Sequence, residues 1–346
     1  MPLTRVSIFA LLALLATPLQ AENIAVPDPL FRDANALQVT LTAPLTTLLK
    51  EKSTEEYLKA VFEYSDGDGE PRAFDIKIRA RGHLRHEICV VPPLLVNFKK
   101  SEVKDTLFHK QDKLKLVVHC GNSMRYEQAL VREYIAYRIL NIVTPLSFQV
   151  RLLRVRYVDS EGKRDDQVRY AFLLEHKNRL GKRIDGKDLK IEATEVELVR
   201  PEHLNLTSVF QYLIGNTDFS PVAPSPYDEC CHNYDMFKND SDLLVAVPYD
   251  FDQSGFVNAP YAAPSAQFPI RSVRQRIYRG RCVNNEHLPA SLQRLQDVRE
   301  SIYTMLNKHE GLTTMTRKAL IAYVNSFYKI IDDPAKIERL IVEKCI

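Results

Sequence analysis

The sequence predicts an α+β protein with a strand-rich first half and a mainly helical second half. Two observations carry this. Apolar residues alternate at period two through several short runs before residue 175. After residue 288 they recur at three- and four-residue spacings over long stretches.

In chain order, Leu37–Leu41 alternates as a half-buried strand, and residues 65–69 form a turn cluster. Ala73–Arg79 alternates again and is broken at Arg81-Gly82. Leu94–Phe98 and Leu114–His119 are further strands. Glu127–Val143 reads as a helix, with Leu130, Tyr134, Tyr137 and Leu140 on one face and Pro145 as its stop. Phe148–Val158 and Gln167–Glu175 read as a hairpin. His203–Ile214 reads as a helix, followed by a loop over 216–229 with Pro221, Pro224 and Pro226. His232–Lys238 and Leu243–Tyr249 form a second hairpin. Residues 289–308, 313–331 and 334–344 carry helical periodicity, with Pro334 at a helix start.

The first 21 residues have the three parts of a signal peptide: a single positive charge at Arg5, an apolar run from Val6 to Ala16, and a small residue at Ala21. The expected organisation is therefore a signal peptide over 1–21, a strand-rich N-terminal lobe over 22–175 and a mainly helical C-terminal lobe over 176–346. The expected location is periplasmic or secreted, with no stable membrane span once the signal is cleaved. A net charge of +3, spread along the chain, argues against a nucleic-acid partner.

Six cysteines in an oxidising compartment favour disulfides, and six allow 15 full pairings. Cys89 with Cys120 is one expected pair, because they end two neighbouring strand-like runs. Cys282 with Cys345 is the other, stapling the C-terminal tail. A bridge between adjacent Cys230 and Cys231 is strained, so each is expected to pair elsewhere or stay free. Oxidised cysteines are preferred over zinc sites at His83, His86 and Cys89 or at Cys230, Cys231 and His232. Arg79, Arg81 and Arg85 alternate along a strand and turn and could line one charged face, whose planar guanidinium groups suit phosphate; a solvated edge is the preferred expectation.

The chemistry-bearing stretch is Asn216-Thr-Asp218, then His232-Asn233, then Pro248-Tyr-Asp-Phe-Asp252. Phosphoryl transfer needs one Asp to position a hydroxyl, and an Asn and an Asp to hold Mg²⁺ through hard oxygens. These blocks, together with Arg79-Ala-Arg-Gly82, Arg132-Glu133 and Phe172-Leu-Leu-Glu175, resemble the CotH kinase-like family of atypical protein kinases over residues 73–256. Over nearly its whole length the chain also resembles an uncharacterised family of exported bacterial proteins that share the Asn-Thr-Asp and Pro-Tyr-Asp-Phe-Asp blocks.

The first resemblance implies a two-lobed protein-kinase-like fold and Mg²⁺- or Mn²⁺-dependent transfer from ATP to a protein or envelope component. It gives Asp218 the catalytic position. It gives Asn233, Asp250 and Asp252 the metal, and Glu133 and Glu175 places beside the nucleotide. It departs at Pro92–Phe98, where Leu95 and Asn97 stand at the places of family lysines; Lys99 and Lys115 are the nearest substitutes. The competing expectation is a catalytically inactive relative that binds or scaffolds in the cell envelope.

Overall fold

The computed structural model describes residues 24–65, 70–223 and 230–346. The expected signal peptide, most of the turn cluster over 65–69, and Pro224 and Pro226 lie outside them.

The elements run β1 (Leu37–Ala43), α1 (Leu45–Glu51), β2 (Leu58–Ser65), β3 (Arg72–Ala80), α2 (Leu84–Ile88), β4 (Leu94–Asn97), β5 (Lys113–Val117) and α3 (Met124–Val143). There follow β6 (Val150–Asp159), β7 (Gln167–Leu174), α4 (Lys177–Arg183), β8 (Lys187–Leu189), α5 (Pro201–Ile214), β9 (Tyr234–Lys238) and β10 (Leu244–Pro248). The chain ends with α6 (Leu288–Asp297), α7 (Arg299–Lys308), α8 (Thr314–Ile331) and α9 (Pro334–Leu340). The helical stretch expected over 289–308 is thus two helices that meet at Val298.

Seven strands close into a barrel of order β1-β2-β3-β4-β5-β7-β6. Every pairing is antiparallel except the seam, where β1 runs parallel to β6 from Leu37 opposite Leu153 to Ala43 opposite Asp159. Alternation explains the filling. Val39, Leu41, Phe62, Phe74, Ile76, Ile78, Leu114 and Leu173 point into one buried cluster. Phe62, Phe98 and Phe108 meet there with centroids 4.9–5.3 Å apart, contacts each contributing about 1 kcal/mol beyond burial.

The other face of β6 and β7 belongs to a second core. Val150, Leu152, Phe172 and Leu174 pack with α3, α5 and the C-terminal helices. That is why β7 ends in four consecutive buried residues: both of its faces are covered. A three-stranded sheet, β10-β9-β8, lies in the C-terminal half. Its strand β10 is likewise buried throughout, with Val245 and Val247 on the helical core and Leu244 and Ala246 on a third, smaller cluster.

This architecture overturns the two-lobed kinase-like fold. Parallel pairing of β1 with β6 closes the strand-rich half into a barrel. The long helix α3 and the outer face of the barrel share one core with α5 to α8, so the strand-rich and helical parts are not separate lobes.

Disulfides join Cys89 to Cys120 and Cys282 to Cys345, as the sequence suggests. Cys230 and Cys231, expected to avoid each other, are also paired, across a cis peptide bond. Among the described residues no helix is long and apolar enough to cross a membrane.

Candidate functional site

Helix α5 ends at Gly215, whose φ of 62° suits glycine; a Cβ there would also lie 2.0 Å from the Tyr323 hydroxyl. The next residue, Asn216, is buried, and its Oδ1 accepts the Asp218 backbone N–H at 3.0 Å. Thus the helix end and one buried amide set the start of the Asp218 loop. The chain after β10 is fastened to the same helix end. The Gly255 N–H donates to the Gly215 carbonyl at 3.0 Å, and the Phe256 N–H to that of Ile214 at 2.9 Å. Phe251, fully buried, anchors this turn between Tyr137 and Phe210, with centroids 4.6 and 5.3 Å away. Its neighbours Asp250 and Asp252 are held on the turn it anchors.

Asn233 and Asp250 both take left-handed backbone, with φ of 57° and 58°. Asn and Asp tolerate that region better than most residues, and such conformations gather at functional sites. The Asn233 amide donates to the Asp218 carbonyl at 2.7 Å and to its Oδ2 at 3.2 Å. His232 Nε2 lies 2.8 Å from Asp218 Oδ1. The Asp250 N–H donates to the Tyr137 hydroxyl at 2.8 Å, and the Tyr261 hydroxyl donates to Asp252 Oδ2 at 3.0 Å.

Facing the acidic set are cations from the barrel side. Arg85, on α2, donates to the Val118 carbonyl at 2.5 Å and pairs with Glu133 of α3 at 3.4 Å. Lys115, on β5, sits over the Tyr249 ring at 5.0 Å. Arg81 follows β3 at the Gly82 turn.

The charges act on one another. Burial first, and then the neighbouring Asp250 carboxylate, push the Asp252 carboxyl up to about 7, against Arg85 and the Tyr261 hydrogen bond. Burial also holds Glu133 well above the usual carboxylate range, with Arg85 opposing and Asp252 and Asp250 adding. Burial and then the Arg81 charge lower the Lys115 ammonium to about 8. Burial lowers Arg81, with Asp250 opposing.

Of the residues singled out in the sequence, the structure gathers Asp218, Asn233, Asp250, Asp252, Glu133 and Lys115 into this cluster. It places two elsewhere. Lys99 is in an exposed ion pair with Glu102 at 2.7 Å. Glu175 is buried against Arg183, at 2.9 and 3.1 Å, and accepts the Gln149 N–H. The zinc readings find no support. His86 is bonded to the Lys52 carbonyl, Cys89 is in a disulfide, and His232 is on Asp218.

Sequence reasoning missed Tyr261, and its preferred reading put Arg81 and Arg85 on a solvated edge. Arg85 and Tyr261 lie within cation–π range, 5.9 Å apart. Only Arg79 of the three arginines stays on the edge, over Tyr57. The Gly82 turn, with its φ of 91°, is the one local sign that the chain redirects Arg81 and Arg85.

The donor set consists of hard oxygens, the type a small hard cation takes. Asp250 and Asp252 supply carboxylate oxygens, and Asn233, its nitrogen committed to Asp218, has its carbonyl oxygen left to offer. Among the described residues no three His, Cys, Asp or Glu side chains gather as a metal-holding group. A surface groove lined by Val61, Arg72, Phe74, Asp75, Glu102 and Thr106 contains none of these residues. No protein-family model matches the chain, and no curated protein matches it.

Proposed function

We propose that this cluster binds a phosphate-bearing ligand together with Mg²⁺ or Mn²⁺ and transfers a phosphoryl group, from ATP or a similar donor, to a protein or envelope component. The observation that supports this is the meeting of Arg81, Arg85 and Lys115 with Asp250, Asp252 and Asp218 in one half-buried place, where the charge of each is felt by others. Cations beside paired carboxylates are the arrangement a metal-bound phosphate requires. The three cations take phosphate oxygens. Asn233, Asp250 and Asp252 hold the metal, which supplies charge neutralisation at the phosphate. Asp218 orients the acceptor hydroxyl and takes its proton.

Six cysteines paired in three disulfides favour an oxidising compartment, so the proposed place of action is outside the cytoplasm.

A second reading is a non-catalytic binding or scaffold role in the cell envelope. It is favoured by Asp218, both of whose carboxylate oxygens are engaged by His232 and Asn233, and by Glu133, which pairs with an arginine instead of a lysine.

Thermal-shift titration with Mg²⁺ or Mn²⁺ and ATP tests the ligand site, since a ligand of the native state raises stability by mass action. The expected result is a rise for the wild type that is lost in Asp250→Ala. No rise at millimolar nucleotide with a folded protein overturns the proposal. Transfer of labelled phosphate to envelope extracts then separates the catalytic from the binding role.

A further inference from the structure

We propose that Tyr261 is an internal gate on the cation- and phosphate-binding cluster, occupying the groups that an incoming ligand needs and leaving when the ligand arrives. This rests on the ligand site proposed above and adds how that site is controlled.

Tyr261 engages both kinds of group at once. Its hydroxyl donates to Asp252 Oδ2 at 3.0 Å. Its ring lies under the Arg85 guanidinium, 5.9 Å from centroid to carbon. A cation on Asp252 competes with that hydroxyl proton for the same carboxylate. A phosphate on Arg85 competes with the ring for the same guanidinium.

The ring has a seat beside the cluster. Tyr126 stacks on it with centroids 6.5 Å apart and planes 14° from parallel. Tyr126 is itself wedged against Gly121, where an added Cβ would come within 2.7 Å of its ring. Gly121 follows Cys120, which the disulfide ties to Cys89 at the end of α2. The support under Tyr261 is therefore fixed to the same element that carries Arg85.

The other side of the gate can yield. Tyr261 lies in an irregular stretch between the Asp252 turn and α6, and the residue is only partly buried, packed against the edge of the main core. Both of its site contacts are made by the side chain alone, so rotation about Cα–Cβ and Cβ–Cγ releases them without unfolding an element.

The test is Mg²⁺ binding to the intact protein by calorimetry, comparing wild type with Tyr261→Phe and Tyr261→Ala. The titration is run at about pH 9, because loss of the hydroxyl also makes Asp252 hold its proton more strongly. Breaking a hydrogen bond to a charged group opposes binding in the wild type, so Tyr261→Phe is expected to bind Mg²⁺ about tenfold more tightly. Tyr261→Ala is expected to match or exceed it. In the wild type, saturating Mg²⁺ is also expected to shift the Tyr261 ring resonances, assigned by their absence from Tyr261→Phe. Equal or weaker binding in both variants, with the wild type binding, overturns the gate and leaves the ligand site standing. Absence of Mg²⁺ binding in all three proteins overturns the cation site and the gate together.

Discussion

Asp252→Asn is expected to stabilise the folded protein, by an amount that grows with pH. Asp252 is 5 % exposed and its carboxyl is pushed up to about 7, first by burial and then by Asp250. In the unfolded chain it titrates near 3.9. A raised folded value means that the folded state holds a proton that the unfolded state has lost. The contribution of this group to stability is fully present below about pH 4 and is lost as pH rises through about 7. About three pH units at about 1.4 kcal/mol each give a total on the order of 4 kcal/mol. Asparagine carries no charge and escapes that loss. Its carbonyl oxygen can still accept from the Tyr261 hydroxyl, and removing the Asp252 charge also relieves Glu133, which it pushes upward. Urea unfolding of both proteins at about pH 4, 6 and 8 measures the difference. The expected gain rises across that series. A difference that is flat with pH, or a variant that weakens further toward pH 8, would refute the assignment of Asp252 as a carboxylate ionised at a stability cost. The same substitution is expected to weaken Mg²⁺ binding, because an amide oxygen replaces a charged carboxylate, so stability and ligand affinity should move in opposite directions.

Two further outcomes concern stability. Replacing Cys89 and Cys120 by alanine reopens a loop spanning 31 residues; chain entropy puts the loss at about 3.7 kcal/mol. Urea unfolding checks this, and a loss below about 1 kcal/mol would contradict the cross-link. His119 and His203 are 3 % and 5 % exposed, and burial holds each imidazole down to about 4. Because the folded values are depressed, their stability is present above the unfolded value near 6.5 and is lost as pH falls toward 4. Relative to His119→Gln, the wild type should lose up to about 3 kcal/mol over that window, read from urea midpoints at paired pH values.

The sequence made local pattern legible. The alternation in Leu37–Leu41 and Ala73–Arg79, the α3 periodicity and both hairpins are found where the residues place them. Strand β2 was readable in the same way, since Ala60, Phe62 and Tyr64 alternate with exposed Lys59, Val61 and Glu63. Barrel closure was not, because the parallel β1–β6 pairing has no turn between its strands to mark it.

The order Asp218, Asn233, Asp250, Asp252 pointed to residues that do meet. Arg81 and Arg85 looked like edge charges, because a turn at Gly82 changes the direction of a side chain without changing composition. Glu175 shows the converse: its place at a strand end suggested a ligand, but Arg183, eight residues on, claims both of its oxygens.

The β1–β6 seam also bears on how the chain folds. The residues that meet there lie more than a hundred positions apart, so a large loop must close before the barrel is complete. Until β6 arrives, β1 presents one whole side of unpaired backbone groups, an edge onto which another chain could add. A chain shortened before Val150 would keep that edge permanently, while the intact chain removes it with its own sixth strand. Completion of the barrel is thus also the step that ends its exposure to self-association.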